Sequence, residues 1–297
     1  MIRCGIDLGG TKIEGVVLDS EKENSVLLRK RIPTEGDKGY DHVLNRIKLL
    51  IEELEKETGL ELPVVGIGTP GSLHPKTQLL KGSNSVHLND RPLLQDLISL
   101  LSKDVRLAND ANCLALAETH MGVVHQEFPE AKVVFGIIMG TGVGGGLVVN
   151  GQILNGANGI AGEWGHNFLH ESGGKCYCGK SGCVETIIAG PALEKYYFQK
   201  SGQNRKLHEI YAARESDSIA AETIDRLIRF FGIGVSTIIN MIDPDAVVLG
   251  GGVGNIDALY TEGLDSIKKH VFNPDCINKI LKPRLGDSAG VFGAAFL

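Results

Sequence analysis

Two apolar periodicities run through the chain. Between Tyr40 and Thr58 the apolar positions Val43, Ile47, Leu50, Ile51 and Leu54 recur every three or four residues, which puts them on one stripe of a helix. The spacing also predicts helices over 93–101, 111–119, 191–199, 218–242 and 257–272. Short continuous apolar runs at 64–69, 105–108, 133–139, 147–149 and 246–249 read as buried strands. Strands interleaved with helices predict an α/β fold with mixed sheets.

One pattern occurs twice. Gly5 to Asp19 runs as an apolar strand, a Gly/Thr turn and a second apolar strand, and Gly136 to Asn150 repeats that order without a gap. Two such β-turn-β units, one per half, predict two related domains facing each other. A boundary near Thr119, where the first half's last helix ends, gives domains of 1–118 with 287–297, and of 119–286. A length of 297 residues agrees with two domains sharing a cleft, and 42% apolar residues can build both cores.

Charge and composition narrow the partners. The net charge is −6 with no long basic run, which argues against a nucleic-acid partner held by phosphate contacts. No apolar run approaches the ~20 residues of a membrane helix, and the N-terminus lacks a secretory h-region. The expectation is a soluble, cytoplasmic protein without a membrane partner. The 39 glycines are clustered, which points to close backbone approach to ligands rather than to flexible linkers.

The first cluster is Asp7-Leu8-Gly9-Gly10-Thr11-Lys12. Glycines at Gly9 and Gly10 let backbone N–H groups point at phosphate oxygens, while Thr11 adds a hydroxyl and Lys12 a cation. A carboxylate at Asp7 fits beside phosphates only with a cation such as Mg²⁺ between them. The second cluster, Gly140-Thr141-Gly142-Val143-Gly144-Gly145, matches G-x-G-x-x-G, but a strand and an Asn-Gly turn follow it where a dinucleotide fold needs a helix. That disfavours a dehydrogenase. Two Gly/Thr hairpins can instead clamp a triphosphate from both domains. The third cluster, Gly250-Gly251-Gly252, ends a strand, where α/β proteins bind ligands; it reads equally as an adenosine loop or as close helix packing.

His166, Cys176, Cys178 and Cys183 form H-x9-C-x-C-x4-C. Three thiolates and one imidazole complete a tetrahedral Zn²⁺ site with no open position, which makes the metal structural. Gly173, Gly174, Gly179 and Gly182 supply the turns a compact metal loop needs.

These motifs together resemble the ROK family (repressors, open reading frames and kinases) of the actin/hexokinase superfamily. The resemblance spans essentially the whole chain. It implies a two-domain actin/hexokinase-like, ribonuclease H-like α/β fold with a zinc-bearing loop. The two Gly/Thr turns resemble the family's phosphate motifs, and 162–166 with 176–185 resemble its zinc signature. Asn109-Asp110-Ala111-Asn112 resembles its catalytic segment. The resemblance makes Asp110 the base, where local sequence alone reads a helix N-cap. It implies sugar contacts from Asn84, Asn109, Glu163, His166 and Glu185, with His166 ligating zinc through one nitrogen and meeting a sugar hydroxyl through the other. ATP, Mg²⁺ and a homodimer follow by the same analogy.

Within the family, Asn84-Ser85, 163–167 and 176–180 look most like bacterial fructokinases. The leading expectation is therefore phosphorylation of fructose at its 6-hydroxyl, with Trp164 and Asn167 flanking the sugar contacts. The alternatives are an N-acetylglucosamine kinase, a broad glucokinase or mannokinase, and a non-catalytic sugar-sensing regulator. Family repressors carry a DNA-binding domain before the first phosphate motif, and only six residues precede Asp7 here.

Overall fold

The computed structural model describes every residue except Asn84, Pro274 and Cys276, and all side chains but those and Asp287. The predicted sugar contact Asn84 thus lies outside the described residues. The chain forms two compact units: Met1–Pro129 with Gly146–Ala161 and Arg284–Leu297, and Glu130–Gly145 with Gly162–Pro283. The sequence boundary at 118 put Gly146–Ala161 in the second domain; here that segment clusters with the first unit, because the chain crosses between units part-way along one strand.

In the first unit β1 (Ile2–Leu8) and β2 (Lys12–Asp19) form a hairpin in full antiparallel register, from Ile2 opposite Asp19 to Leu8 opposite Ile13. β3 (Ser25–Pro33) extends it on one side. On the other side β4 (Val64–Thr69) runs parallel to β1, and β7 (Asp104–Asn109) parallel to β4. A small hairpin of β5 (Ser72–Leu73) and β6 (Leu80–Lys81) lies between those two strands in sequence. The parallel arrangement puts the C-terminal ends of β1, β4 and β7 side by side, so Asp7 and Asn109 reach the same edge.

The predicted stripe on α1 (Tyr40–Thr58) is buried at all five positions, and α2 (Leu93–Leu101) adds Leu93 and Leu97 to the same core. α3 (Asp110–His120) follows β7 directly and is buried along most of its length, and α4 (Val123–Glu127) follows it. Glu118 is fully buried, yet it accepts N–H bonds from Val123 (2.7 Å), Arg284 (3.1 Å) and Leu285 (3.0 Å). Those bonds replace its lost hydration and fasten the C-terminal segment. That segment forms α10 (Ala289–Ala294), which lies so close to the sheet that a Cβ on Gly66 would sit 1.8 Å from the Ala294 carbonyl oxygen.

The second unit repeats the scheme. β8 (Val133–Met139) turns through Gly140 to Gly142 into β9 (Val143–Val149), so the strand predicted at 147–149 begins four residues earlier. β11 (Ala246–Gly250) runs parallel to β8, and β12 (Lys279–Leu281) parallel to β11, giving the order β9-β8-β11-β12, like β2-β1-β4-β7 in the first unit. The last residues of β9 belong to the first unit and pair there with β10 (Gln152–Ile153).

The second unit's helices are α5 (Glu185–Ile188), α6 (Gly190–Ser201), α7 (Leu207–Ala212), α8 (Ser218–Ile242) and α9 (Glu262–Lys268). The single helix predicted over 257–272 is a 3-10 turn at Asp257–Tyr260 and then α9, interrupted at Thr261, whose φ of −121° and ψ of −85° are not helical. Among the described residues, no helix is long and apolar enough to cross a membrane.

Candidate active site

In the first unit the turn between β1 and β2 is closed by the Gly9 N–H donating to the Lys12 carbonyl at 3.0 Å, and the Thr34 hydroxyl donates to the Gly9 carbonyl at 2.7 Å. Gly10, Thr11 and Lys12 are exposed on that turn. A Cβ on Gly9 would lie 2.8 Å from the Lys12 oxygen, so the turn needs glycine there. Asp7 stands at the end of β1. Burial pushes its carboxyl up to about 6, and the charges of Glu14 and Asp110 add to the shift against Lys12 and Arg31. The sequence treated Glu14 as an ordinary strand residue; it is fully buried opposite Asp7 and paired with Arg29 and Arg31.

Asp110 was expected as either base or helix cap. The cap is Asn109: its Oδ1 accepts the Asn112 N–H at 2.7 Å, while Asp110 is the first helical residue of α3. The Asp110 Oδ1 accepts the Ala111 N–H at 2.8 Å, which orients the carboxyl group. Burial pushes the Asp110 carboxyl above its ordinary value, in spite of that bond. Asp7 and Asp110 are 103 residues apart in sequence, and the parallel pairing of β1, β4 and β7 brings their charges within reach of each other. Beside Asn109 a cavity of about 180 Å³ is lined by Thr69, Ser72, Leu73, Leu80, Asn109 and Asn112, among others.

In the second unit three stretches of backbone meet at the other glycine turn. The Gly140 N–H donates to the Gly142 carbonyl at 2.9 Å, and the Gly190 N–H, at the start of α6, donates to the Gly140 carbonyl at 2.9 Å. Past β11, Gly251 has φ +81°, and a Cβ there would lie 2.3 Å from the Met139 oxygen. A Cβ on Gly140 or Gly252 would meet nothing within 4 Å, so these two border open space. Thr141 is exposed on the turn. The start of α6 was not read from the sequence as part of this site; the Gly190-Pro191 pair that opens the helix was the available signal.

Of the sugar contacts assigned by resemblance, Glu163, His166 and Glu185 lie in this unit. Glu163 precedes the 3-10 turn of Trp164–His166. Glu185 opens α5, and its Oε2 accepts the Val143 N–H at 3.0 Å, tying that helix to the start of β9. Trp164 does not flank an open pocket: it is 5% exposed, donates from its indole N–H to the Gly144 carbonyl at 3.4 Å, and meets Phe135 edge-on. Its bulk is why Gly145 must lack a side chain, since a Cβ there would lie 2.6 Å from the indole.

The ligating atoms of His166, Cys176, Cys178 and Cys183 all lie within 4.8 Å of one another. The Cys176 Sγ is 3.6 Å from His166 Nδ1, and the Cys178 and Cys183 sulfurs are 3.6 Å apart. Around a tetrahedral zinc with Zn–S near ~2.3 Å, ligand atoms stand roughly 3.6–3.8 Å apart, so the four side chains fit that ion. The loop has little regular structure to hold it otherwise: two isolated bridges join Phe168 to Cys183 and Lys175 to Ser181. His166 turns Nδ1 toward the thiols. Its Nε2 meets the Tyr177 hydroxyl at 3.0 Å, a partner the sequence reading did not anticipate.

A phosphate-type turn beside enclosed carboxylates in one unit, and a second glycine cradle with a three-thiol, one-imidazole cluster in the other, define a class. The ROK family model matches residues 3–297, and the chain belongs to the ROK family. It is 35% identical to the N-acetyl-D-glucosamine kinase of Escherichia fergusonii, covering 99% of this chain and 98% of that protein. The ROK hexokinase from Thermus thermophilus superposes with a TM-score of 0.89 at 31% identity, covering 100% of this chain and 97% of that one. A ROK glucokinase from Streptomyces griseus, solved with glucose and AMPPNP, gives 0.77 at 25% identity, with 99% and 98% covered. Together these support a sugar kinase of the ROK family; none of the three is named a fructokinase.

Proposed function

We propose that the protein transfers the γ-phosphoryl group of ATP to the 6-hydroxyl of N-acetylglucosamine. The observation that carries the kinase chemistry is the enclosed carboxylate of Asp110 at the start of α3, beside Asp7. In this reading Asp110 takes the proton from the sugar 6-hydroxyl as its oxygen bonds to the γ-phosphorus, and ADP leaves with the electrons of the broken P–O bond. Gly9, Gly10, Thr11 and Lys12 face the phosphates in the first unit; Gly140, Thr141, Gly142 and Gly250 to Gly252 serve the nucleotide in the second. Asp7 would hold Mg²⁺, which neutralises phosphate charge when bound. Two neighbouring carboxylates pushed toward their neutral forms are what a cation would relieve.

Asn109, Glu163, His166 and Glu185 are the proposed sugar contacts. His166, Cys176, Cys178 and Cys183 would hold a structural Zn²⁺ that fixes the loop carrying two of them. Zinc through Nδ1 leaves Nε2 as the nitrogen for a sugar hydroxyl, and Tyr177 is then the group that gives way.

The choice of sugar departs from the expected fructose. The 163–167 and 176–180 segments behind that expectation, with Asn84-Ser85, would serve the metal loop and ring hydroxyls, which any hexose needs. The relation to N-acetylglucosamine kinases runs the length of both chains. The cavity beside Asn109 also suits an acetamido group, since Leu73 and Leu80 offer a wall for its methyl and Asn109 and Asn112 offer amides. A cytoplasmic homodimer belongs to the same proposal, by family likeness. The test is phosphorus NMR of the product formed from N-acetylglucosamine and Mg-ATP. A 6-phosphomonoester with stoichiometric ADP supports the reading; a phosphate on the anomeric oxygen, or ADP formed without sugar, overturns it.

A further inference from the structure

A second cavity lies wholly within the first unit, away from the glycine turns. It has a volume of about 490 Å³, within the usual range for small-molecule sites. Its polar lining comes from Arg3, Arg106, His120, Gln152 and Asn155, and its apolar wall includes Phe296. No Asp or Glu side chain lines it, although the chain as a whole carries −6. Arg3 is the second residue of β1 and Asp7 nearly ends it, so about 13 Å of strand separates this cavity from the phosphate turn.

The cations here differ in how they are engaged. Arg106 donates to Asp104 at 2.9 Å and to a main-chain oxygen of Leu297, the last residue of the sequence, which also lines the cavity, so its charge is already engaged. Arg3 has neither: among the described residues no acid or carbonyl meets its guanidinium, and its Nε is enclosed without a hydrogen-bond partner. A buried donor left without a partner is destabilising. The guanidinium is held in place by stacking 4.9 Å from the Phe296 ring centre. His120 stacks on the same ring at 4.6 Å, and its Nε2–H donates to the Gly151 carbonyl at 2.9 Å, which fixes the ring with Nδ1 opposite. Burial lowers the His120 pKa against the Gly151 hydrogen bond, and the nearby charges of Arg3 and His125 lower it further, so an anion between Arg3 and His120 would relieve both.

We propose that this cavity is a second anion site, distinct from the phosphate turns, that takes a phosphomonoester of hexose size. The Arg3 fork matches phosphate geometry. The space exceeds what inorganic phosphate needs, and the Gln152 and Asn155 amides suit sugar hydroxyls. That the sugar phosphate is a hexose 6-phosphate rests on the kinase reading. The site would then let product act on the enzyme from outside the active site.

The test is NMR of the His120 ring protons, assigned by their absence in His120→Gln, with three probes: N-acetylglucosamine 6-phosphate, inorganic phosphate and free N-acetylglucosamine. The sugar phosphate should shift the His120 signals saturably in the millimolar range. Arg3→Gln should weaken that binding at least about ten-fold and Arg3→Lys less, because a point charge replaces the fork. Free sugar should leave the signals in place. No shift with either phosphate, or one undiminished in Arg3→Gln, overturns the proposal. A response to inorganic phosphate as strong as to the sugar phosphate overturns its hexose part. Should Arg3→Gln fail to fold, Asn155→Ala serves instead and should weaken the sugar phosphate but not inorganic phosphate; equal weakening of both counts against it. ADP formation by Arg3→Gln without added product should match the parent enzyme, so the outcome is read separately from the kinase reading.

Discussion

The two units hold their proposed site residues by opposite means. Asp7 and Asp110 stand where regular elements end, fixed by the register of β1, β4 and β7 and by the Asn109 cap on α3. The loop from His166 to Glu185 has short 3-10 turns, isolated bridges and scattered backbone hydrogen bonds such as Leu169 N–H to the Gly182 carbonyl at 2.7 Å, around four side chains that converge on one point. The first region carries the proposed chemistry at an electrostatic cost, with carboxylates enclosed against their preference. The second carries the proposed sugar contacts and would lean on a metal. Disturbing each should therefore produce a different kind of failure.

The largest effect is expected from Asp110→Asn. With Asn109 as the cap, the substitution leaves the start of α3 intact and removes only the proposed base. Turnover should fall by about 10²–10⁴-fold while sugar and ATP binding persist, as calorimetric titration beside steady-state rates would show. Retention of most of the turnover would move the base elsewhere.

Cys178→Ser should break the other region. Elemental analysis of the parent protein should give one zinc per chain and of the variant much less. Hydrogen exchange should speed up across 166–185 and stay slow in β1, β4 and β7, because structural zinc contributes folding free energy to the segment it ties. Uniform protection in zinc-free protein would show that the loop holds itself.

Next in size is Trp164→Ala. The indole is buried beneath β9, so its removal should lower unfolding free energy by about 3–5 kcal/mol in denaturant titration. A small loss with a large rise in sugar KM would instead make Trp164 a pocket residue.

The mildest signature is in pH. Asp110 must be ionised to act, and burial lifts its pKa above the ordinary carboxylate value near ~3.9. The acid limb of kcat/KM should therefore lie above the range of an exposed carboxylate. The linkage has the same origin: a raised folded pKa contributes stability below the unfolded value, and that contribution is lost as pH rises through the folded one. At neutral pH the ionised Asp110 is thus a cost, and Asp110→Asn should melt no lower than the parent.

Much of this was legible in the sequence where the signal is local. The ends of α1 and α8 follow from their apolar stripes and flanking residues, and the metal cluster follows from four ligands within eighteen positions. The break at Thr261 lies inside a run whose composition suits a helix throughout, so the departure depends on packing that local pattern does not encode. The cap at Asn109 was hidden because Asn and Asp both cap well and stand adjacent. The pairing of Asp7 with Asp110, and the buried Glu14 behind them, depend on strand register across a hundred residues. The burial of Trp164 has no local signal, because it depends on Gly145, far back in the chain, making room for the indole.

The substrate remains the claim on which the account turns. Steady-state kinetics with saturating Mg-ATP on N-acetylglucosamine, glucose, mannose and fructose would test it directly. A hexose site built from hydroxyl and amide partners discriminates through groups left unpaired, so related sugars should be weaker substrates rather than inert. The account predicts the highest kcat/KM for N-acetylglucosamine. The highest value for fructose would contradict it and restore the reading that the sequence motifs first suggested.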